Sequence, residues 1–137
     1  MTLEELKARV IFQINADLDD LGDYEPHLSG YVNQGYDKLA WALLTRRLGS
    51  RGLPVLEADS DVPVLPDWMH PAMADYATWL VYRNGNPQKQ QRGMQFLQAF
   101  NEVLQEAKGL AGRVSFDEET GELTVSDKTP QFFNVYP

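Results

Sequence analysis

Few residues of this chain have the type and spacing to do chemistry. The two histidines, His27 and His70, are far apart and each sits beside a proline. Neither has a metal-ligand partner at helical spacing. The acidic run Asp17-Leu18-Asp19-Asp20-Leu21-Gly22-Asp23 invites a calcium-loop reading. A loop begun at Asp17 would place Leu21 and Leu28 where oxygen ligands belong, so the run reads as a solvated turn. Tyr24 and the acids around it form the sort of pair any acidic protein offers. No nucleophile elbow and no glycine-rich phosphate loop appears. Arg46, Arg47 and Arg51 are the densest basic cluster. They suit a helix C-terminus electrostatically, and phosphate contact is the sharper alternative. The sequence therefore predicts no catalytic residue, no metal and no cofactor.

The wider composition sets the same tone. A chain of 137 residues fits one domain, and can bury roughly two-thirds of its unfolded surface. With no cysteine there is no disulfide framework, and no apolar run nears the roughly 18 residues of a membrane span. Met1-Thr2-Leu3-Glu4-Glu5 is acidic where a signal peptide would be basic, so the expected site of synthesis is a cytoplasm. The net charge of −8, from 20 acidic and 12 basic residues, argues against a general nucleic-acid binder.

These residues must be positioned by helices. Thr2 and Glu5 form a capping-box pattern. Leu3, Leu6, Val10, Ile14 and Leu18 follow as one apolar stripe, widened by Ile11 and Phe12. Glu25-Pro26 opens a second helix with Leu28, Val32, Gly35, Leu39 and Ala42 or Leu43 inward. Tyr31, Tyr36 and Trp41 add aromatic bulk, and the helix is expected to end at Leu48-Gly49. Gly30 and Gly35 weaken it by roughly 1 kcal/mol each, which close packing would offset. Residues 50–66, with Pro54, Pro63 and Pro66, form a long extended connection with short strand pieces.

A third helix begins between Asp67 and Pro71, with Met69, Met73, Tyr76, Ala77 and Leu80 as its core stripe. Trp68, Trp79 and Tyr82 cannot all share that face and mark an interface. A tight turn at Asn84-Gly85-Asn86-Pro87 joins it to a fourth helix. Asn84-Gly85 suits a left-handed cap, Asn86 an N-cap, and Pro87 the first helical position. The fourth helix carries Met94, Leu97, Phe100 or Asn101, Leu104 and Ala107, and stops near Lys108-Gly109. Its first turns, Gln88 to Arg92, are polar all round and should face solvent or a partner.

The end of the chain differs in kind. Residues 113–116 and 122–125 alternate as strands around Thr120-Gly121, a β-hairpin that must lean on the helices or on another chain. A tail follows, containing Phe132, Phe133, Val135 and Tyr136. Burying these would contribute about 6–12 kcal/mol, at roughly 1.5–3 each. Fixing the tail costs about 1–2 kcal/mol per residue. The terms nearly cancel, which suits a docking peptide that orders on binding. The predicted fold class is mainly α: a small bundle of about four helices, a long extended connection, and a C-terminal hairpin plus extended tail. Residues 1–110 form the helical domain, and 111–137 the hairpin and docking tail.

Residues 64–109 carry a resemblance. Val64-Leu65-Pro66-Asp67-Trp68-Met69-His70-Pro71-Ala72, then Ala74-Asp75-Tyr76-Ala77, Tyr82-Arg83 and Asn86-Pro87-Gln88-Lys89 resemble the head–tail connector, or adaptor, proteins of tailed bacteriophages. There a Leu-Pro segment leads into an aromatic-rich helix, a short turn and a polar helix bearing Gln and Lys. The first helix pair is also similar, so the resemblance covers about residues 2–110. It implies a structural protein of the virion neck, without catalysis, made in the host cytoplasm. About a dozen copies would form a closed ring under the portal protein. The ring would extend the channel through which DNA passes without sequence-specific binding, and would offer a platform to the next neck or tail component. No membrane is involved. Its summed charge would be roughly −100, which lets DNA slide. In that picture Trp68, Trp79, Tyr82, Gly30 and Gly35 form subunit contacts. The side chains Phe132, Phe133, Val135 and Tyr136 reach the portal or a neighbouring subunit. The competing expectation is a small cytoplasmic helical regulator that binds a partner through its aromatic tail.

Overall fold

Helix α1, Leu3–Gln13, starts at the expected capping box: Thr2 accepts the Glu5 N–H, and the Glu5 carboxylate accepts the Thr2 N–H. Those hydrogen bonds hold the Glu5 carboxyl below its usual range. The computed structural model describes residues 1–14, 24–49 and 53–125. Leu3, Leu6, Val10 and Ile14 are fully buried, while Leu18 lies outside the described residues. Phe12 does not widen the stripe. It is 80% exposed, because the helix turns it away from the face occupied by its neighbours.

After a 3-10 turn at Glu25–His27, α2 spans Leu28–Leu44. It buries Leu28, Val32, Gly35, Tyr36, Leu39, Ala40 and Leu43. It stops one turn earlier than Leu48-Gly49, for a local reason. Thr45 adopts a left-handed conformation (φ 53°), and its N–H closes on the Trp41 carbonyl. The Asp37 carboxylate then accepts the Leu48 N–H at 2.8 Å, which folds the chain back. A left-handed β-branched residue costs roughly 1–2 kcal/mol, which no propensity argument would place here.

The connection from Leu53 to Pro66 contains no strand among its described residues. Its backbone is satisfied by α1 and α2 instead. The orphan N–H groups of Leu3 and Glu4 donate to the carbonyls of Asp61 and Asp59 at 2.8 and 3.1 Å. Asn33 holds Leu56 at both backbone groups, and the Tyr36 hydroxyl accepts the Val64 N–H at 2.9 Å. The Asp61 carboxylate accepts the N–H groups of Glu57 and Ala58, which lowers its pKa. Leu53, Leu56 and Leu65 are thereby pinned into the core.

Helix α3, His70–Tyr82, follows a 3-10 turn at Asp67–Met69. It is covered nearly all round: Ala72, Met73, Ala74, Ala77, Thr78, Leu80, Val81 and Tyr82 are buried. It packs on α1, on α2 and on α4, which spans Pro87–Leu110. The small residues of α3 let three helices approach. A helix apolar on every side belongs in the interior.

The α3–α4 turn has the expected Asn86 cap, which accepts the Lys89 N–H at 2.9 Å, and Pro87 in the first turn. The preceding cap is not left-handed. Arg83 stays right-handed, and the Gly85 N–H bonds the Tyr82 carbonyl at 3.0 Å. Glycine is required there for space, since a Cβ would lie 2.8 Å from the Lys89 Cβ. On α4 the inward residues are Gly93, Phe100 and Ala107, flanked by Phe96, Val103 and Leu104. Met94 is half exposed, so the stripe begins at Gly93 rather than Met94. The helix also runs past Gly109 into a 3-10 turn at Ala111–Arg113.

Strands β1, Val114–Asp117, and β2, Glu122–Val125, pair antiparallel with Val114 opposite Val125 and Phe116 opposite Leu123. The turn has Gly121 at φ 73°, and the Asp117 carboxylate accepts the N–H groups of Glu119 and Thr120. The hairpin leans on the helices: Val114, Phe116 and Leu123 pack against the core, and Glu118 pairs with Arg46 beyond the end of α2. Among the described residues the fold is thus four α-helices and a two-stranded antiparallel hairpin.

Candidate interaction surfaces

The residues expected at subunit contacts divide between surface and core. Trp68, in the turn that opens α3, is 46% exposed. Gly30 is exposed, with open space where a side chain would grow. Gly35 is different. A Cβ there would meet the Tyr76 Cβ at 3.0 Å and the Met73 Cα at 3.3 Å, so the close approach it allows is to α3 of the same chain. Tyr82 is buried, stacked on Phe96 with ring centroids 6.4 Å apart. Trp79 is half-buried. Both lie over Gly93, where a Cβ would fall 2.8 Å from the Tyr82 Cβ and 3.0 Å from Trp79 Cε3. Gly35, Tyr82 and most of Trp79 therefore build the α2–α3–α4 contacts. Periodicity failed here because it assumed a single buried face, and α3 has several. Phe132, Phe133, Val135 and Tyr136 lie outside the described residues.

Both histidines have local roles. His70 is fully buried, with Nε2–H donating to the Leu65 carbonyl and Nδ1 facing the Met1 amino group, each at 2.9 Å. Burial pushes its pKa down, against the pull of the Leu65 carbonyl. His27 is exposed beside the Tyr31 ring. No three metal-ligating side chains cluster among the described residues.

Two other polar groups are tuned by burial. The Tyr36 hydroxyl is pushed up to about 12. The Asp75 carboxyl is raised by burial, opposed by a hydrogen bond from Gln13 at 2.8 Å. Gln13 also accepts the Thr78 hydroxyl, so a polar bridge ties α1 to α3 inside the bundle.

A feature that sequence reading passed over lies between α2 and α4. Trp41, 52% exposed, forms one wall of a cleft of about 340 Å³ with Asp37, Lys38, Ala42, Arg47, Leu104 and Lys108. The Arg47 guanidinium sits 5.3 Å from the Trp41 ring centroid, and Lys38 Nζ 5.6 Å from that of Tyr76. Three cations and one carboxylate thus frame an exposed indole on a chain of charge −8. The sequence signal was concealed because Arg47 reaches Trp41 only through the left-handed reversal at Thr45. Of the arginine cluster, Arg46 is taken by Glu118, Arg47 covers Trp41, and Arg51 lies outside the described residues. The arrangement can bind an anionic segment that also carries apolar side chains.

No family model, no curated protein and no solved structure matches this chain.

Proposed function

We propose that this chain is a head-to-tail connector of a tailed bacteriophage, a structural protein that forms a ring under the portal. The ring extends the DNA channel and carries the next neck or tail component. The observation that carries this reading is the ordered set of residues from Val64 to Gly109 that resembles connector proteins. In the fold these residues form a Leu-Pro lead-in, an aromatic-rich central helix, a tight Asn-capped turn and a long helix with a polar first half. The exposed indoles of Trp41 and Trp68 supply surface for contacts, since aromatic residues are enriched at interfaces. A closed ring needs two different, complementary surfaces on each copy.

In this reading the chain performs no catalysis. The residues Phe132, Phe133, Val135 and Tyr136 engage the portal or the adjoining subunit, and many weak tails acting together give strong attachment. Deleting residues 127–137 tests the tail role: co-sedimentation with portal should be lost while folding persists. Undiminished co-sedimentation would overturn it. A particle that ignores portal altogether would favour a helical regulator.

A further inference from the structure

The two half-exposed indoles, Trp41 and Trp68, stand in surroundings of opposite charge. The Trp41 cleft presents Lys38, Arg47 and Lys108 beside Leu104, against the single carboxylate of Asp37. That carboxylate is already engaged by the Leu48 N–H. Around Trp68 the sign reverses. The start of α1 is bonded to the connection through the carbonyls of Asp59 and Asp61. The Met1 amino group reaches His70, which feels the charge of Asp67. These bonds gather Glu4, Glu57, Asp59, Asp61 and Asp67 at one edge, where Lys7 pairs with Asp59. Val62 and Trp68 are exposed in the same stretch of chain.

We infer that the Trp41 cleft of one copy receives the acidic, Trp68-bearing edge of a second copy. This deepens the ring reading, on which it rests, by naming a contact between neighbouring copies. A cleft of about 340 Å³ has room for an aromatic side chain, and its cations meet the carboxylates beside that side chain.

The fold sets the two surfaces apart, so one chain cannot join them by itself. On α2, Asn33 and Tyr36 face the connection, while Lys38 and Ala42 line the cleft. The two pairs lie about half a turn apart around the helix. Helices α1 and α4 each pack on α2 and α3, and hardly on each other, so the edge and the cleft occupy opposite flanks. They also lie at one level. Helix α4 runs back along α3 from the tight turn, with Tyr76 against Phe100. Asp67 and Trp68 at the start of α3 and Lys108 near the end of α4 therefore share one end of the bundle. Two different surfaces at one level on opposite flanks make a heterologous contact, the type that closes into rings. The contact is partly exposed, so each instance is weak and salt-sensitive, and repetition around the ring strengthens it.

Sedimentation velocity of the full-length protein tests this. Wild type should self-associate as its concentration rises to about 1 mM, and less so as salt rises from roughly 0.05 to 0.5 M. Lys38→Glu/Lys108→Glu on the cleft and Glu57→Lys/Asp67→Lys on the edge change exposed side chains, and circular dichroism checks each fold. Each pair of changes sets like charges opposite one another and should weaken association about tenfold or more. One chain carrying all four changes restores opposite charges and should associate again. Trp68→Ala, which alters no charge, should also weaken association. A wild type that stays monomeric, association indifferent to both charge reversals, or no recovery in the chain with all four changes would overturn the inference. The ring reading fails separately. Rings on portal that form undiminished with either charge reversal would leave the connector standing and remove this contact. Charge-dependent self-association that ignores portal would do the reverse.

Discussion

The side-chain amide of Asn33 holds both backbone groups of Leu56: Nδ2–H donates to the Leu56 carbonyl and Oδ1 accepts the Leu56 N–H, each at 2.9 Å. One side chain thus does for the connection what a neighbouring strand would do. It explains how an extended segment crosses the bundle without a sheet, with Leu53 and Leu56 held inward. Asn33→Ala removes these two hydrogen bonds and a third, from Nδ2–H to the Ser29 carbonyl at 2.9 Å, and leaves half-buried backbone groups unpaired. The expected loss is about 2–3 kcal/mol, measured by urea denaturation. A loss within experimental error would mean that water replaces the amide.

The two glycines of α2 should respond to alanine with opposite signs. At Gly30 there is open space, so Gly30→Ala should stabilise by up to about 1 kcal/mol through helix propensity. At Gly35 the new methyl meets Tyr76 and the Met73 backbone, so Gly35→Ala should destabilise by about 1–3 kcal/mol through overpacking. Thermal midpoints of the two variants, measured side by side, check both signs.

His70 predicts a pH dependence. Its pKa is depressed in the fold by burial, so the unfolded chain binds the proton more readily. Its contribution is fully present above the unfolded value of about 6.5 and is lost as pH falls towards the lower folded value. Wild type should therefore lose stability between pH 7 and pH 5. His70→Gln, which keeps a donor for the Leu65 carbonyl, should lose less over that window in chemical denaturation.

Asp75 has the opposite sense. Its raised pKa means that ionisation costs stability as pH rises through the folded value. Asp75→Asn keeps an acceptor for Gln13 and should flatten the pH dependence in the mildly acidic range, without loss of stability at neutral pH. A marked loss would show that the charge itself is needed.

Much of this fold was legible from local rules. The α1 capping box, the Asn86-Pro87 start of α4 and the alternating hairpin all depend on neighbours in sequence, and each appears where expected. What was not legible depends on distant partners. Thr45 ends α2 because Asp37 captures Leu48, and nothing in the local sequence announces it. Trp79 and Tyr82 looked like surface aromatics because their covering is Gly93, on the next helix. The Trp41 cleft required both α2 and α4 in place before its cations could be seen together. Of Trp68, Trp79 and Tyr82, Trp68 is the one that stands half exposed.

The central claim is assembly on the portal, and imaging tests it most directly. The full-length protein, alone and mixed with the portal protein encoded nearest to it, would be viewed by negative-stain electron microscopy. The account predicts coaxial rings of about a dozen copies stacked on one end of the portal. Portal particles left bare beside small separate particles of this chain would contradict it.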